Sequence, residues 1–180
     1  MPNSVQSDIG EPSPWLQRWA ARIPAAGRVL DVACGGGRHA RYLAARGYQV
    51  EAVDRDTEAL SRLAGVAGVT TRVADLEGAA WPYAAGQFDA VVVTNYLHRP
   101  LFNHLLAALA PGGVLIYETF ALGNERYGRP SNPDFLLQPG ELLKVAHGQL
   151  EVIAYENLEV QTPKPAVIQR ICAIKGAGSR

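Results

Sequence analysis

The sequence predicts an α/β fold: a doubly wound, mostly parallel seven-stranded sheet that closes with a C-terminal antiparallel hairpin. Three observations predict it. Short apolar runs alternate with helix-forming stretches along residues 28–118. One of those runs, Phe88–Thr94, is apolar almost throughout, as for a central parallel strand covered on both faces. The last two runs are joined only by Gln161-Thr162-Pro163-Lys164-Pro165, too short for a parallel crossover, so they pair antiparallel.

Each element has a local reason. Residues 1–12 read as a mobile tail before one domain spanning 13–180. Ser13-Pro14 reads as an N-cap followed by proline at the first helical position, and Trp15, Leu16, Trp19 and Ile23 form an apolar stripe. Pro24 and Gly27 end that helix, and its tryptophans fit either a pocket wall or the core. Arg28–Val32 is the first strand and Arg38–Arg46 the first crossover helix, stopped by Gly47. Tyr48–Val53 then runs to Asp54, Thr57–Ala64 is helical, and Val69–Ala74 runs to Asp75. After an irregular stretch over 76–87 come the strand Phe88–Thr94 and the helix Leu101–Ala110. Pro111-Gly112-Gly113 breaks that helix before the fifth strand, Val114–Glu118. A long Pro-, Gly- and Asn-rich segment over 119–139, a short helix at Glu141–Ala146, and the hairpin runs Leu150–Val160 and Ala166–Ile174 complete the chain.

Composition narrows the function classes. Apolar residues make up 48% and charged residues 19% of 180, as in ordinary globular proteins. Lys plus Arg and Asp plus Glu balance at 17 each, so no global charge recruits nucleic acid or a membrane. No apolar run approaches membrane-spanning length and no secretory leader is visible, so the expected location is the cytoplasm. Cys34 and Cys172 lie far apart with no metal-type spacing, and no metal site is expected. Nothing in the sequence sets an oligomeric state.

The most informative stretch is Val29-Leu30-Asp31-Val32-Ala33-Cys34-Gly35-Gly36-Gly37-Arg38-His39-Ala40. An apolar run ends in an acid, passes through a loop of small residues and enters a helix. Small residues let backbone approach a ligand, and the helix start presents unpaired N–H groups to it. Gly35-x-Gly37-x-x-Ala40, with Asp54 19 residues after Gly35, partly matches a dinucleotide fingerprint, so an NAD-dependent oxidoreductase is one reading. In open α/β sheets ligands bind beyond the carboxyl ends of the strands. Asp31, Asp54 and Asp75 fall at or near three such ends, with Thr94-Asn95 at a fourth. Any one of these acids can simply cap the next helix; three in succession converge on one edge.

The ordered set Asp31-x-x-x-Gly35-x-Gly37, Asp54, Asp75-Leu76-Glu77, Phe88-Asp89-Ala90-Val91 and Leu109-Ala110-Pro111-Gly112-Gly113 resembles the class I S-adenosylmethionine-dependent methyltransferases. The likeness to small bacterial members of the tellurite- or thiol-detoxifying type is the nearest, though distant. It covers residues 28–118 motif by motif and the rest by architecture. It implies S-adenosylmethionine (SAM) as cofactor, with the backbone of Ala33, Cys34, Gly35 and Gly37 beside its methionine part. Asp31 would orient that loop or bind the ammonium, Asp54 would take the ribose hydroxyls, and Asp75 and the Leu76 N–H would take the adenine. Asn95 would border the methionine end. Ala33 stands where many members have glycine, which implies a tighter loop. The oxidoreductase reading would require neither Asp75-Leu76-Glu77 nor the Pro-Gly-Gly turn.

Acceptor-side candidates follow strands four and five. His98 is a candidate base or a helix-start histidine with a structural hydrogen bond. Glu118 is a second candidate base or an ion-pair partner. Tyr96 and Arg99, and Arg126 and Arg129 in the 119–139 segment, are candidates for substrate contact, with that segment either an acceptor lid or a surface loop without function. Cys34 is either a small loop residue or a catalytic thiol. The expected activity is methyl transfer to a small-molecule acceptor by in-line displacement, releasing S-adenosylhomocysteine (SAH). A SAM-binding regulatory or partner subunit without activity is the alternative.

Overall fold

The computed structural model describes residues 9–178. The strands are β1 (Arg28–Val32), β2 (Gln49–Asp54), β3 (Val69–Val73), β4 (Phe88–Thr94), β5 (Leu109–Phe120), β6 (Leu150–Val160) and β7 (Ala166–Lys175). The helices are α1 (Pro14–Trp19), α2 (Arg38–Ala44), α3 (Thr57–Ser61), α4 (Phe102–Ala108) and α5 (Glu141–Ala146). All seven strands join one sheet in the order β3-β2-β1-β4-β5-β7-β6. The first five pair in parallel, and β7 runs antiparallel to both β5 and β6, so the expected mixed sheet forms.

The buried strands are apolar on both faces because helices cover both. Leu30, Val32, Val91, Val93 and Leu115 pack with Leu105 and Leu106 of α4 and Leu142 of α5. The alternate residues Val29, Ala90, Val92, Val114 and Ile116 pack with Trp15 and Leu16 of α1, Leu43 of α2 and Leu60 of α3. Trp15 therefore belongs to the core, with its indole N–H on the Ile171 carbonyl, and Trp19 packs edge-on against it. Among the described residues no helix is long and apolar enough to cross a membrane.

Several boundaries differ from the sequence expectation. Ser13 does cap α1, accepting from the Trp15 and Leu16 N–H groups, but the α-helix stops at Trp19 and tightens into a single 3-10 turn over Ala20–Arg22. The second helix ends at Ala44, where Gly47 folds back to the Ala44 carbonyl at φ 88°. Pro111-Gly112-Gly113 does not precede β5 but lies inside it: Leu109 pairs with Phe88 while Val114 pairs with Ala90, so the turn bulges out. The Lys175 ammonium closes the end of α4 by donating to the Leu106 and Leu109 carbonyls. Of the expected N-terminal tail, residues 1–8 lie outside the described residues. Glu11 and Pro12 accept from Arg38 and Gln17 side chains.

The 119–139 segment begins as the end of β5. Its two ends zip together through Leu122 N–H to Leu137 O and Leu137 N–H to Phe120 O. Buried Asn124 fixes the bend, accepting from the Val167 N–H and donating to the Pro130 carbonyl. Residues 125–129 and 131–135 are exposed between these anchors.

Candidate functional site

The order of the sheet reverses between β1 and β4: the chain builds outward through β2 and β3 on one side and through β5 on the other. A crevice therefore opens at the carboxyl ends of these strands, where helices diverge to opposite faces. The loop after β1 lies in it. Ala33, Gly35 and Gly37 all have positive φ (51°, 54° and 80°), which folds the loop tightly under the start of α2. The Cys34 N–H donates to the Val53 carbonyl and the Gly35 N–H to Asp54 Oδ2 at 2.8 Å, tying the loop to β2.

The glycines of this loop have different tasks. A methyl group on Gly35 would meet nothing within 4 Å. One on Gly37 would lie 2.4–2.6 Å from the Leu63 side chain. Gly35 thus faces open space, whereas Gly37 lets α2 pack on its neighbour. Cys34 is half-buried, and its thiol is pushed above the ordinary range by burial and then by the charges of Asp31 and Asp54. That environment opposes a thiolate nucleophile.

Asp31 is 1% exposed, has the Ala40 N–H at the start of α2 nearby, and leaves Oδ2 without a partner. Burial, opposed by the Ala40 N–H and the Arg38 charge, pushes its carboxyl up to about 7. A buried carboxylate oxygen with no donor is costly unless something positive or hydrogen-bonding meets it. Asp54, at the end of β2, receives one backbone N–H on each oxygen, from Gly35 and Asp56. Past β3, Asp75 Oδ1 takes the N–H groups of Glu77 and Gly78, which with a smaller pull from Arg55 and His98 hold its carboxyl below the ordinary range. Ala33, Asp54, Arg55, Ala74, Asp75, Leu76, Glu77 and Tyr96 together line one cleft of about 200 Å³.

The structure thus gathers Ala33, Asp54, Asp75, Leu76 and Tyr96 in the cleft, while Asp31 in β1 and Cys34 and Gly35 in the loop after it are chain neighbours of Ala33. It adds Arg55, Ala74 and Glu77, which the sequence reading did not assign. Arg55 and Ala74 flank the strand-end acids Asp54 and Asp75, so position along the chain could have found them. Glu77 stood in the Asp75-Leu76-Glu77 motif, but its partners Tyr96 and His98 lie about 20 residues on, so its role had no local signal.

On the side of β4, Asn95 takes φ 56° and donates its N–H to the Glu118 carbonyl. The Tyr96 hydroxyl donates to Glu77 Oε1 at 3.0 Å, and burial followed by that contact raises its phenol above the ordinary range. His98 is partly exposed, with Nδ1 4.0 Å from Glu77 Oε2.

The remaining candidates sit elsewhere. Glu118 is not poised as a free base: Oε1 accepts the Ser13 hydroxyl at 2.7 Å and Oε2 pairs with Arg170 at 3.1 Å, locking α1 to the sheet. Arg99 does not line the cleft. Its guanidinium grips both Glu141 oxygens and the Asp134 and Leu136 carbonyls, pinning the 119–139 segment to the start of α4. Arg126 is exposed, donates to the Gly123 carbonyl and faces Glu159 at 3.6 Å, and Arg129 is exposed.

Known proteins share this fold. The family profile described as a methyltransferase domain matches residues 29–113. The chain is 34% identical over 137 residues to a ubiquinone biosynthesis O-methyltransferase of Thiobacillus denitrificans, covering 70% of this chain and 59% of that protein. The solved structure of TehB from Haemophilus influenzae superposes with a TM-score of 0.72 at 20% identity, covering 87% of this chain and 60% of that one. The 1,6-didemethyltoxoflavin-N1-methyltransferase of Burkholderia thailandensis, solved with its substrate and SAH, gives 0.69 at 18% identity, covering 96% and 81%. The chain spans about half the length of the curated relatives it matches. With its sheet order and strand-end acids, the stretch from Val29 to Gly113 is a methyltransferase domain by its family match, set in the fold of the SAM-dependent methyltransferases.

Proposed function

We propose that this chain binds SAM in the cleft at the ends of β1, β2 and β3 and transfers its methyl group to a small-molecule acceptor. The observation that carries the reading is the set of three strand-end carboxylates, each with acceptor capacity left over. Asp54 keeps a lone pair on each oxygen for two ribose hydroxyls. Asp75 keeps Oδ2 for the adenine amino group, beside the Leu76 backbone. Asp31 Oδ2, buried and without a donor, fits the cofactor ammonium. The open face of Gly35 fits the methionine part.

When bound, the cofactor supplies a methyl group already activated by its sulfonium. The protein is then left to align the partners and exclude water. With Glu118 engaged by Ser13 and Arg170, His98 at the rim is the candidate base for a protic acceptor. The exposed stretch 125–135, carrying Arg126 and Arg129, is the candidate acceptor lid. Relatives are named for ubiquinone biosynthesis, for L-isoaspartate in proteins and for ribosomal RNA, so the shared domain does not set the acceptor. The balanced charge of 17 acids against 17 bases supports a small molecule over nucleic acid.

Titration calorimetry with SAM, SAH and NAD tests the reading. SAM and SAH are expected to bind in the micromolar range and NAD not at all. NAD binding without SAM binding would reverse the assignment. SAH release across a panel of small acceptors then separates an enzyme from a silent SAM-binding subunit.

A further inference from the structure

Glu77 belongs to neither the strand-end acids nor the acceptor-side candidates, yet it touches both walls of the cleft. It stands two residues past Asp75, after β3, while Tyr96 follows β4. These strands are not neighbours: β2 and β1 lie between them. Three strand spacings separate β3 from β4, about 14 Å at the sheet. The Tyr96–Glu77 hydrogen bond, 3.0 Å long, closes that span above the ends of β2 and β1. His98 approaches the other oxygen of the same carboxylate at 4.0 Å.

Both ends of this bridge are fixed from below. The Tyr96 carbonyl accepts the Tyr117 hydroxyl at 2.7 Å, and Tyr117 is buried in the core. The Glu77 N–H donates to Asp75 Oδ1 at 3.0 Å, so the Glu77 backbone is held by the acid that faces the cleft. Strain or slack in the bridge therefore reaches Asp75 and the Tyr96 ring, both of which line the cleft.

We propose that Glu77 is a positioning residue: through Tyr96 it clasps the two walls of the cleft together and sets how long the cofactor stays. The proposal rests on the reading of this cleft as the adenosine site. A half-exposed hydrogen bond of this kind is weak enough to open and close freely. Its effect is to resist parting of the walls once the cofactor lies between them, so that release requires it to open. Losing it should speed release far more than it changes capture.

SAH serves as the probe, with its dissociation rate from a chase experiment and its affinity from calorimetry. Tyr96→Phe and Glu77→Ala should each speed release roughly three- to tenfold, the effect of one exposed charge-assisted hydrogen bond. The double variant should release SAH no faster than the worse single variant, because both lose one shared contact. Glu77→Gln, which keeps an acceptor oxygen for Tyr96, should stay within about twofold of the parent on the same scale. Additive effects in the double variant, or unchanged release in both single variants, would overturn the clasp while leaving the cofactor assignment intact. Failure of the parent protein to bind SAH would overturn the clasp and the cleft assignment together.

Discussion

At the scale of single residues, the two glycines of the first loop make separable predictions. Gly35→Ala places a methyl group in open space at φ 54°, so the fold should survive with a strain of about 1 kcal/mol. That methyl enters the space assigned to the cofactor, and SAM affinity should fall at least about tenfold, the effect of a lost or displaced contact of ~1.4 kcal/mol. Gly37→Ala drives a methyl group into Leu63, and the damage should appear in stability, by ~2 kcal/mol or more. Thermal unfolding and calorimetry on the two variants decide it; the opposite ranking would place the cofactor on the other side of the loop. Asp54→Ala should weaken SAM about ten- to a hundredfold, through two lost charge-assisted contacts. It also strips the acceptor from the Gly35 and Asp56 N–H groups, so some of that loss comes from a looser loop. Asp54 and Asp75 were legible because an apolar run followed by an acid marks a strand end. Glu118 looked the same in sequence, but its partner Ser13 lies 105 residues away. No local pattern distinguishes a strand-end acid that meets a ligand from one that meets another helix.

At the scale of elements, the strands read well because burial on both faces leaves an unbroken apolar run, and β4 has its expected bounds of Phe88–Thr94. Helix ends read less well, since α2 and α3 stop after single short stretches where turns and the Arg41–Arg62 contact take over. The 119–139 segment was visible as a long connection, but what anchors it was not. Its anchor is Arg99, which reaches Glu141 across 42 residues and holds two carbonyls of the segment as well. Arg99→Ala should lower stability by ~1.5–3 kcal/mol, the range for hydrogen bonds to charged groups. Limited proteolysis should cut the variant within 125–135 faster than the parent, because the inner end of the loop loses its tie to α4. Arg99→Lys should not restore resistance: an ammonium cannot span a bidentate carboxylate and two carbonyls. Equal cleavage of parent and variant would mean that Leu136, Leu137 and Asn124 alone hold the segment.

At the scale of the whole molecule, two buried groups on the cofactor side shape how stability responds to pH, and they do so in opposite senses. His39 on α2 is 4% exposed, and its Nε2 accepts the Ser13 N–H. Burial, helped by the Arg38 charge, lowers it from 6.5 to about 3. Between those values the unfolded chain carries a proton on this histidine that the folded chain does not, so acidification destabilises the fold. Asp31 is raised from 3.8 to about 7, chiefly by burial. Across its own window the folded chain holds the extra proton, so acidification relieves a penalty and stabilises the fold. From about pH 4 to 6.5 the two effects oppose each other, each with a slope of about 1.4 kcal/mol per pH unit at full separation. The parent protein should therefore show a shallow stability profile in that window. Asp31→Asn should leave only the histidine and lose stability as pH falls; His39→Gln, whose amide can still accept the Ser13 N–H, should leave only the aspartate and gain it. Urea unfolding at pH 4.5, 5.5 and 6.5 without cofactor measures both slopes, and parallel profiles for the three proteins would show that neither group is perturbed in the fold. The same Asp31 titration bears on binding. A protonated carboxyl offers the cofactor ammonium no charge, so SAM affinity of the parent should rise as pH rises through about 7. In Asp31→Asn that rise should vanish and leave a weaker, flat affinity over the same range. A pH-dependent affinity that survives in Asp31→Asn would move the ammonium contact to another group.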